Sequence, residues 1–113
     1  TFDDSDLDEL ERLLSDDDER LTLVCLHHQP VPIGTGWLDT IGLEHPRAFL
    51  EVLDRHPRVK GVLWGHIHQQ FDGHRHGIPL MATPSTSIQF KPLTEDFALE
   101  PVPPGYRWLD LQA

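Results

Sequence analysis

The sequence predicts an α/β fold, a mixed sheet with two short helices and a C-terminal hairpin. Three observations predict it. Residues 21–26 and 59–64 are continuous apolar runs of strand length, the pattern of strands buried within a sheet. Between them Phe49, Leu50 and Leu53 form a helical stripe, so strand, helix and strand follow in order and imply neighbouring parallel strands joined by a crossover. After Gly65, two short arms flank the polar stretch His74-Arg75-His76-Gly77, as in a hairpin.

The elements can be justified in chain order. Ser5 with Asp8 three residues on reads as an N-cap, and Leu7, Leu10, Leu13 and Leu14 follow at helical spacing, giving an amphipathic helix over about 5–15. Asp16-Asp17-Asp18-Glu19 is a polar connector. The first strand, 21–26, runs into His27-His28-Gln29-Pro30, where Pro30 and Pro32 forbid its continuation. Residues 31–44 form a loop with Gly34, Gly36 and Gly42, and Trp37 and Leu38 should pack it down. Pro46 suits a first helical turn, so a second helix spans about 46–55. The second strand, 59–64, precedes hairpin arms at 69–73 and 78–83. Residues 87–91 and 106–111 are further candidate strands, separated by Pro101-Val102-Pro103-Pro104-Gly105. No repeat or interdomain linker breaks the chain, so residues 1–113 read as part of one domain.

Composition bounds the function. The formal net charge of the 113 residues is −10, which argues against a general nucleic-acid binder, since that needs a basic footprint. Ten of the nineteen acidic residues lie in the first nineteen positions, as expected of a solvated helix face and a charged turn. No apolar run approaches the roughly 20 residues of a membrane span, and no signal peptide is visible. Cys25 is the only cysteine, so no internal disulfide can form, which fits a reducing cytoplasmic setting. Histidine is the anomaly: there are eight, four of them in two tight groups, His27-His28 and His66-x-His68.

Each of these groups sits just past the C-terminal end of a predicted buried strand, the edge where ligand sites gather in open α/β sheets. Parallel neighbours would bring His27 close to His66 and His68. A loop can redirect His66 and His68 so that together they address two ions, and Gly65 would allow the sharp turn. His74 and His76 read instead as a solvated hairpin tip, and His45 and His56 as surface residues flanking a helix.

Leu23-Val24-Cys25-Leu26-His27-His28-Gln29-Pro30 and Val62-Leu63-Trp64-Gly65-His66-Ile67-His68 resemble two conserved blocks of the calcineurin-like metallophosphoesterases. Ala82-Thr83-Pro84-Ser85-Thr86-Ser87-Ile88-Gln89-Phe90-Lys91-Pro92 resembles the bacterial 3′,5′-cyclic AMP phosphodiesterases of that family, the class III cyclic nucleotide phosphodiesterases. Residues 34–38 and Pro104-Gly105-Tyr106-Arg107 agree with that subgroup. The resemblance implies the C-terminal half of an αββα sandwich with a two-metal centre, and hydrolysis of a cyclic nucleotide, 3′,5′-cyclic AMP to 5′-AMP. It implies His27 and His66 as ligands of one metal and His68 as a ligand of the other. His28 would support a ligand or lie near substrate, with Ser85, Thr86 and Gln89. The two divalent ions would be Mn²⁺, Fe²⁺ or Fe³⁺, or Zn²⁺, since imidazole suits borderline metals. Such a pair, about 3.5–4 Å apart, neutralises the phosphate oxygens and supplies a nucleophile at neutral pH.

The family's Asp-x-His, Gly-Asp and Gly-Asn-His blocks have no counterpart here, and no Asn occurs in the chain. The expectation is therefore a C-terminal fragment, inactive alone, that begins mid-domain and buries its exposed surface in a homodimer or larger species. The reading from another class is a non-catalytic zinc-binding or interaction module using His27, His28, His66 and His68, although a zinc clip would not need the Pro84-Ser85-Thr86 loop.

Overall fold

The computed structural model describes residues 2–16 and 20–112. Most of the connector, residues 17–19, and the two ends of the 1–113 span lie outside the described residues. The described elements are helix α1 (Asp4–Leu14), strand β1 (Thr22–Leu26), the single turn α2 (Gly36–Asp39), helix α3 (Pro46–Asp54), and strands β2 (Val59–Trp64), β3 (Phe71–Arg75), β4 (Ile78–Ala82), β5 (Gln89–Phe90) and β6 (Leu99–Glu100).

The α/β class and the mixed sheet stand. The four-stranded sheet has the order β1-β2-β4-β3, with β1, β2 and β4 parallel and β3 antiparallel to β4. The hairpin expected around 74–77 is the antiparallel pair β3–β4. Its two-residue turn places His76 (φ 49°) and Gly77 (φ 83°) both in the left-handed region, the geometry of a type I′ turn. The C-terminal strands form only the short β5–β6 pair.

One face of the sheet carries the core. Val62, Trp64, Leu80 and Ala82 from β2 and β4 are buried with Phe49, Leu50, Val52 and Leu53 of α3 and Leu14 of α1. Burying a side chain of this size stabilises by about 1.5–3 kcal/mol, so this layer dominates the favourable side of folding.

Several expectations need correction. The first helix is capped by Asp3, not Ser5: the Asp3 carboxylate accepts from the Ser5 and Asp6 N–H groups, while the Asp6 side chain accepts from the Asp3 N–H. That reciprocal pair satisfies donors a serine two residues later could not reach. Strand β1 is not fully buried. It is an edge strand, partly exposed along its length, with Cys25 exposed. The 31–44 loop holds the turn α2, with Leu38 fully buried as expected, and Asp39 accepts from the Ile33 and Gly34 N–H groups to fold it back. Residues 106–111 do not form a strand. The segment alternates exposed and half-buried residues over 106–109 in the manner of a strand but pairs with nothing among the described residues. Arg107 anchors it by donating to Asp72 and to the Phe71 and Ala82 carbonyls.

Candidate metal centre

Strands β1 and β2 are parallel and in register at their last residues, Leu26 opposite Trp64. The residues that follow therefore leave the same edge of the sheet. His27 and His28 step out from β1, and His66 from β2, and their rings meet. Ring centroids are 4.9 Å apart for His27–His28, 5.0 Å for His27–His66 and 4.5 Å for His28–His66. One nitrogen from each ring can be chosen so that all three lie within 4.8 Å of one another. Ligands at about 2.0–2.1 Å from a tetrahedral ion sit roughly 3.4 Å apart, so small side-chain rotations would close this set on one cation.

Burial favours the neutral imidazole at His66 and His28. Burial pushes the His66 pKa below its ordinary value, and the neighbouring His28 and His27 rings push it further the same way, against a backbone hydrogen bond with Ile41. Burial also lowers His28, helped by His27 and opposed by Glu44. The Nε2 atom of His66 is buried with no hydrogen-bond partner. A buried ring nitrogen left without a partner is unusual and calls for an occupant. Behind the cluster a cleft of about 430 Å³ runs between β1 and the helices, walled by Phe2, Leu10, Val24, Leu26, Leu43 and Phe49, with Glu44 near the histidines.

His68 lies apart from the three-ring set. It stacks on Phe90 with ring centroids 4.2 Å apart and planes at 11°, and its Nδ1 is 2.9 Å from the Ile88 carbonyl. The bend that separates it from His66 is not made where Gly65 suggests. Gly65 is not in the left-handed region, and a side chain there would meet nothing within 4 Å. The left-handed residues are His66 (φ 65°) and His68 (φ 50°) themselves. Ile67 between them is fully buried. Nothing in the structure explains glycine at position 65.

The remaining candidates divide. Gln89 is buried and its amide is spent on the loop: Oε1 accepts from the Ser85 N–H, and Nε2 donates to the Ser85 and Pro103 carbonyls. Ser85 is half-buried and its hydroxyl accepts from the Ser87 N–H, while Thr86 is exposed. His45 and His76 are exposed, and His56 is bonded to Glu11, so none of these joins the cluster. Sequence reasoning did not single out Ile41 and Glu44, which touch the cluster from the loop that read only as packing. No motif marks them, since Ile41 acts through its backbone.

No protein-family model matches the chain. Curated relatives do. The chain is 49% identical over 110 residues to a 3′,5′-cyclic adenosine monophosphate phosphodiesterase of Pseudomonas aeruginosa, an alignment covering 97% of this chain and 40% of that protein. It is 48% identical over 107 residues to the Escherichia coli K12 protein of the same description, covering 95% and 39%. It is 41% identical over 92 residues to a 3′,5′-cyclic-nucleotide phosphodiesterase of Nostoc, covering 81% and 35%. The chain thus spans about two fifths of the length of the first of these relatives.

Proposed function

This chain belongs to the family of the bacterial 3′,5′-cyclic nucleotide phosphodiesterases, and on that premise we propose that it supplies the histidine side of a two-metal phosphodiesterase centre acting on 3′,5′-cyclic AMP. The observation that carries the reading is the convergence of His27, His28 and His66 at the ends of two adjacent parallel strands, around an unpartnered buried nitrogen.

The residues present fit a borderline divalent cation: a donor set of imidazoles, two of them held towards the neutral form by burial. Mn²⁺, Fe²⁺, Fe³⁺ and Zn²⁺ are the candidates. Such ions, when bound, supply Lewis acidity towards the phosphate and a nucleophile at neutral pH. His27 and His66 hold one ion. His28 stands close enough to complete its sphere or to meet a phosphate oxygen. His68 serves a second ion from the other side of the bend. Ser85 and Thr86 face the substrate region, and Gln89 shapes that loop from beneath. The carboxylate and amide ligands that such a centre requires come from sequence beyond these residues, so the 113 residues alone do not turn over substrate.

The test is hydrolysis of cyclic AMP and of a chromogenic phosphodiester with Mn²⁺. No turnover by a protein spanning the full length of the relatives would defeat the enzyme reading. Appreciable turnover by this chain alone would defeat the incomplete-centre reading. The β1 edge, unpaired among the described residues, and the exposed Tyr106 and Trp108 also favour a dimer or larger species, which sizing with light scattering checks. No helix among the described residues is long and apolar enough to cross a membrane.

One observation favours a second reading, zinc binding without catalysis: His28 is in the cluster and not behind it. Tight stoichiometric zinc that needs His27, His28 and His66, together with an inactive full-length protein, would select it.

A further inference from the structure

The histidine outside the cluster is held more firmly than those inside it. Its Nδ1 faces a backbone carbonyl, Ile88 O, at 2.9 Å. A carbonyl oxygen can only accept, so Nδ1 must carry the proton, and which ring nitrogen is protonated is set by the bond the other one makes. No hydrogen bond engages Nε2 among the described residues. One ring face lies on Phe90, nearly parallel to it. Phe90 is itself wedged: Trp37 stands against it at 5.0 Å and Phe97 at 5.5 Å, both steeply inclined. Its N–H donates to the His68 carbonyl at 2.9 Å, so backbone and ring grip the same residue.

We propose that Phe90 and the Ile88 carbonyl form a cradle that fixes His68 as the Nδ1–H tautomer with the Nε2 lone pair free, which makes Phe90 a positioning residue for this ligand. Neutral histidine in water favours the opposite tautomer, so the fixed form is a property of the cradle. A half-turn of the ring would put Cδ2 in place of Nδ1 at the Ile88 carbonyl and lose the bond, stacking on Phe90 holds the ring plane that keeps Nδ1 there, and the left-handed His68 backbone restricts the other rotamers. The use of the lone pair by a divalent ion rests on the proposed function. The tautomer does not.

The experiment is a long-range ¹H–¹⁵N correlation on the labelled whole chain, at a pH well above the ordinary histidine value of about 6.5, with the His68 signals assigned through His68→Gln. A protonated Nδ1 and bare Nε2 at His68 is expected. A protonated Nε2 would overturn the proposal without any variant. Phe90→Leu removes the ring and keeps the backbone bond. It should return a tautomer mixture, while Phe90→Tyr should restore the wild-type pattern. A Phe90→Leu chain that keeps the pure Nδ1–H form would overturn the positioning role. Should Phe90→Leu not fold, Trp37→Phe loosens the wedge from behind and should bring the mixture partway, and an unchanged pattern there counts against the cradle. Zinc titration separates the two claims. If Nδ1–H is found but zinc leaves Nε2 unmoved in a protein spanning the full length of the relatives, the second-ion assignment fails and the cradle stands.

Discussion

Replacing Ile67 with alanine probes how the histidine bend is held. Left-handed backbone at a residue with a side chain costs on the order of 1–3 kcal/mol, so His66 and His68 together carry about 2–6 kcal/mol of strain. Ile67, fully buried between them, contributes about 1.5–3 kcal/mol in the opposite sense. It offsets roughly half of that strain, and the bond from the Phe90 N–H to the His68 carbonyl and the buried Gln69 beneath the bend supply the rest. Ile67→Ala removes the anchor and leaves a cavity, a loss of about 2–5 kcal/mol, whereas Ile67→Val should cost only about 0.5–1.5 kcal/mol. At roughly 4 °C per kcal/mol for a chain of this size, the melting temperature falls by about 8–20 °C for alanine. Circular dichroism melts measure this, and zinc calorimetry on the same samples reports the histidines. With the bend released, zinc affinity should drop along with stability. A melting temperature for Ile67→Ala within about 3 °C of wild type, well short of the cavity cost above, would refute the argument that burial at this residue holds the bend.

Zinc affinity itself should depend on His27, His28 and His66 and little on His68: structural zinc free energies of about 10–16 kcal/mol spread over four ligands imply roughly a hundredfold to a thousandfold loss per ligand removed, by calorimetry. His76→Asn should stabilise the β3–β4 hairpin by about 0.5–1 kcal/mol, because asparagine tolerates the left-handed conformation that His76 adopts before Gly77, and a denaturant midpoint that does not rise counts against the type I′ assignment. Stability should decline below about pH 4. Asp54 beside Arg75 and Asp72 beside Arg107 both have pKa values held below the ordinary 3.8, so their contributions are full above that value and vanish as pH falls through the depressed ones. Arg107→Ala should soften that acid limb and release the 106–111 segment, seen as faster proteolysis there with the sheet intact.

Much of this was legible because period and punctuation agree locally. Pro46 opening a helix and the apolar run 59–64 bounded by Gly65 need no tertiary information, and both elements lie where expected. The convergence of His27 on His66 was legible too, since parallel strands deliver their ends to one edge. What escaped depends on partners distant in sequence. Whether 106–111 becomes a strand depends on a neighbour, not on its alternation. Asp3 against Ser5 as cap is a contest of reach that spacing alone does not decide. The placement of His68 follows from Phe90, 22 positions on. The role of Ile41 is carried by its backbone, on which residue identity is silent.

The in-register pairing of Leu26 with Trp64 ties the binding of a cation to the topology of the sheet. A slip of one residue would carry His27 about 3.3 Å along the strand and turn it to the other face. A bound ion therefore acts as a staple between two strands more than thirty residues apart in the chain. It stabilises their pairing by RT ln(1 + [ion]/Kd) and nothing else in the sheet directly. Amide exchange at β1 and β2 should consequently slow with added metal while the β3–β4 hairpin keeps its own rate, and the ratio of the two would report site occupancy without any substrate.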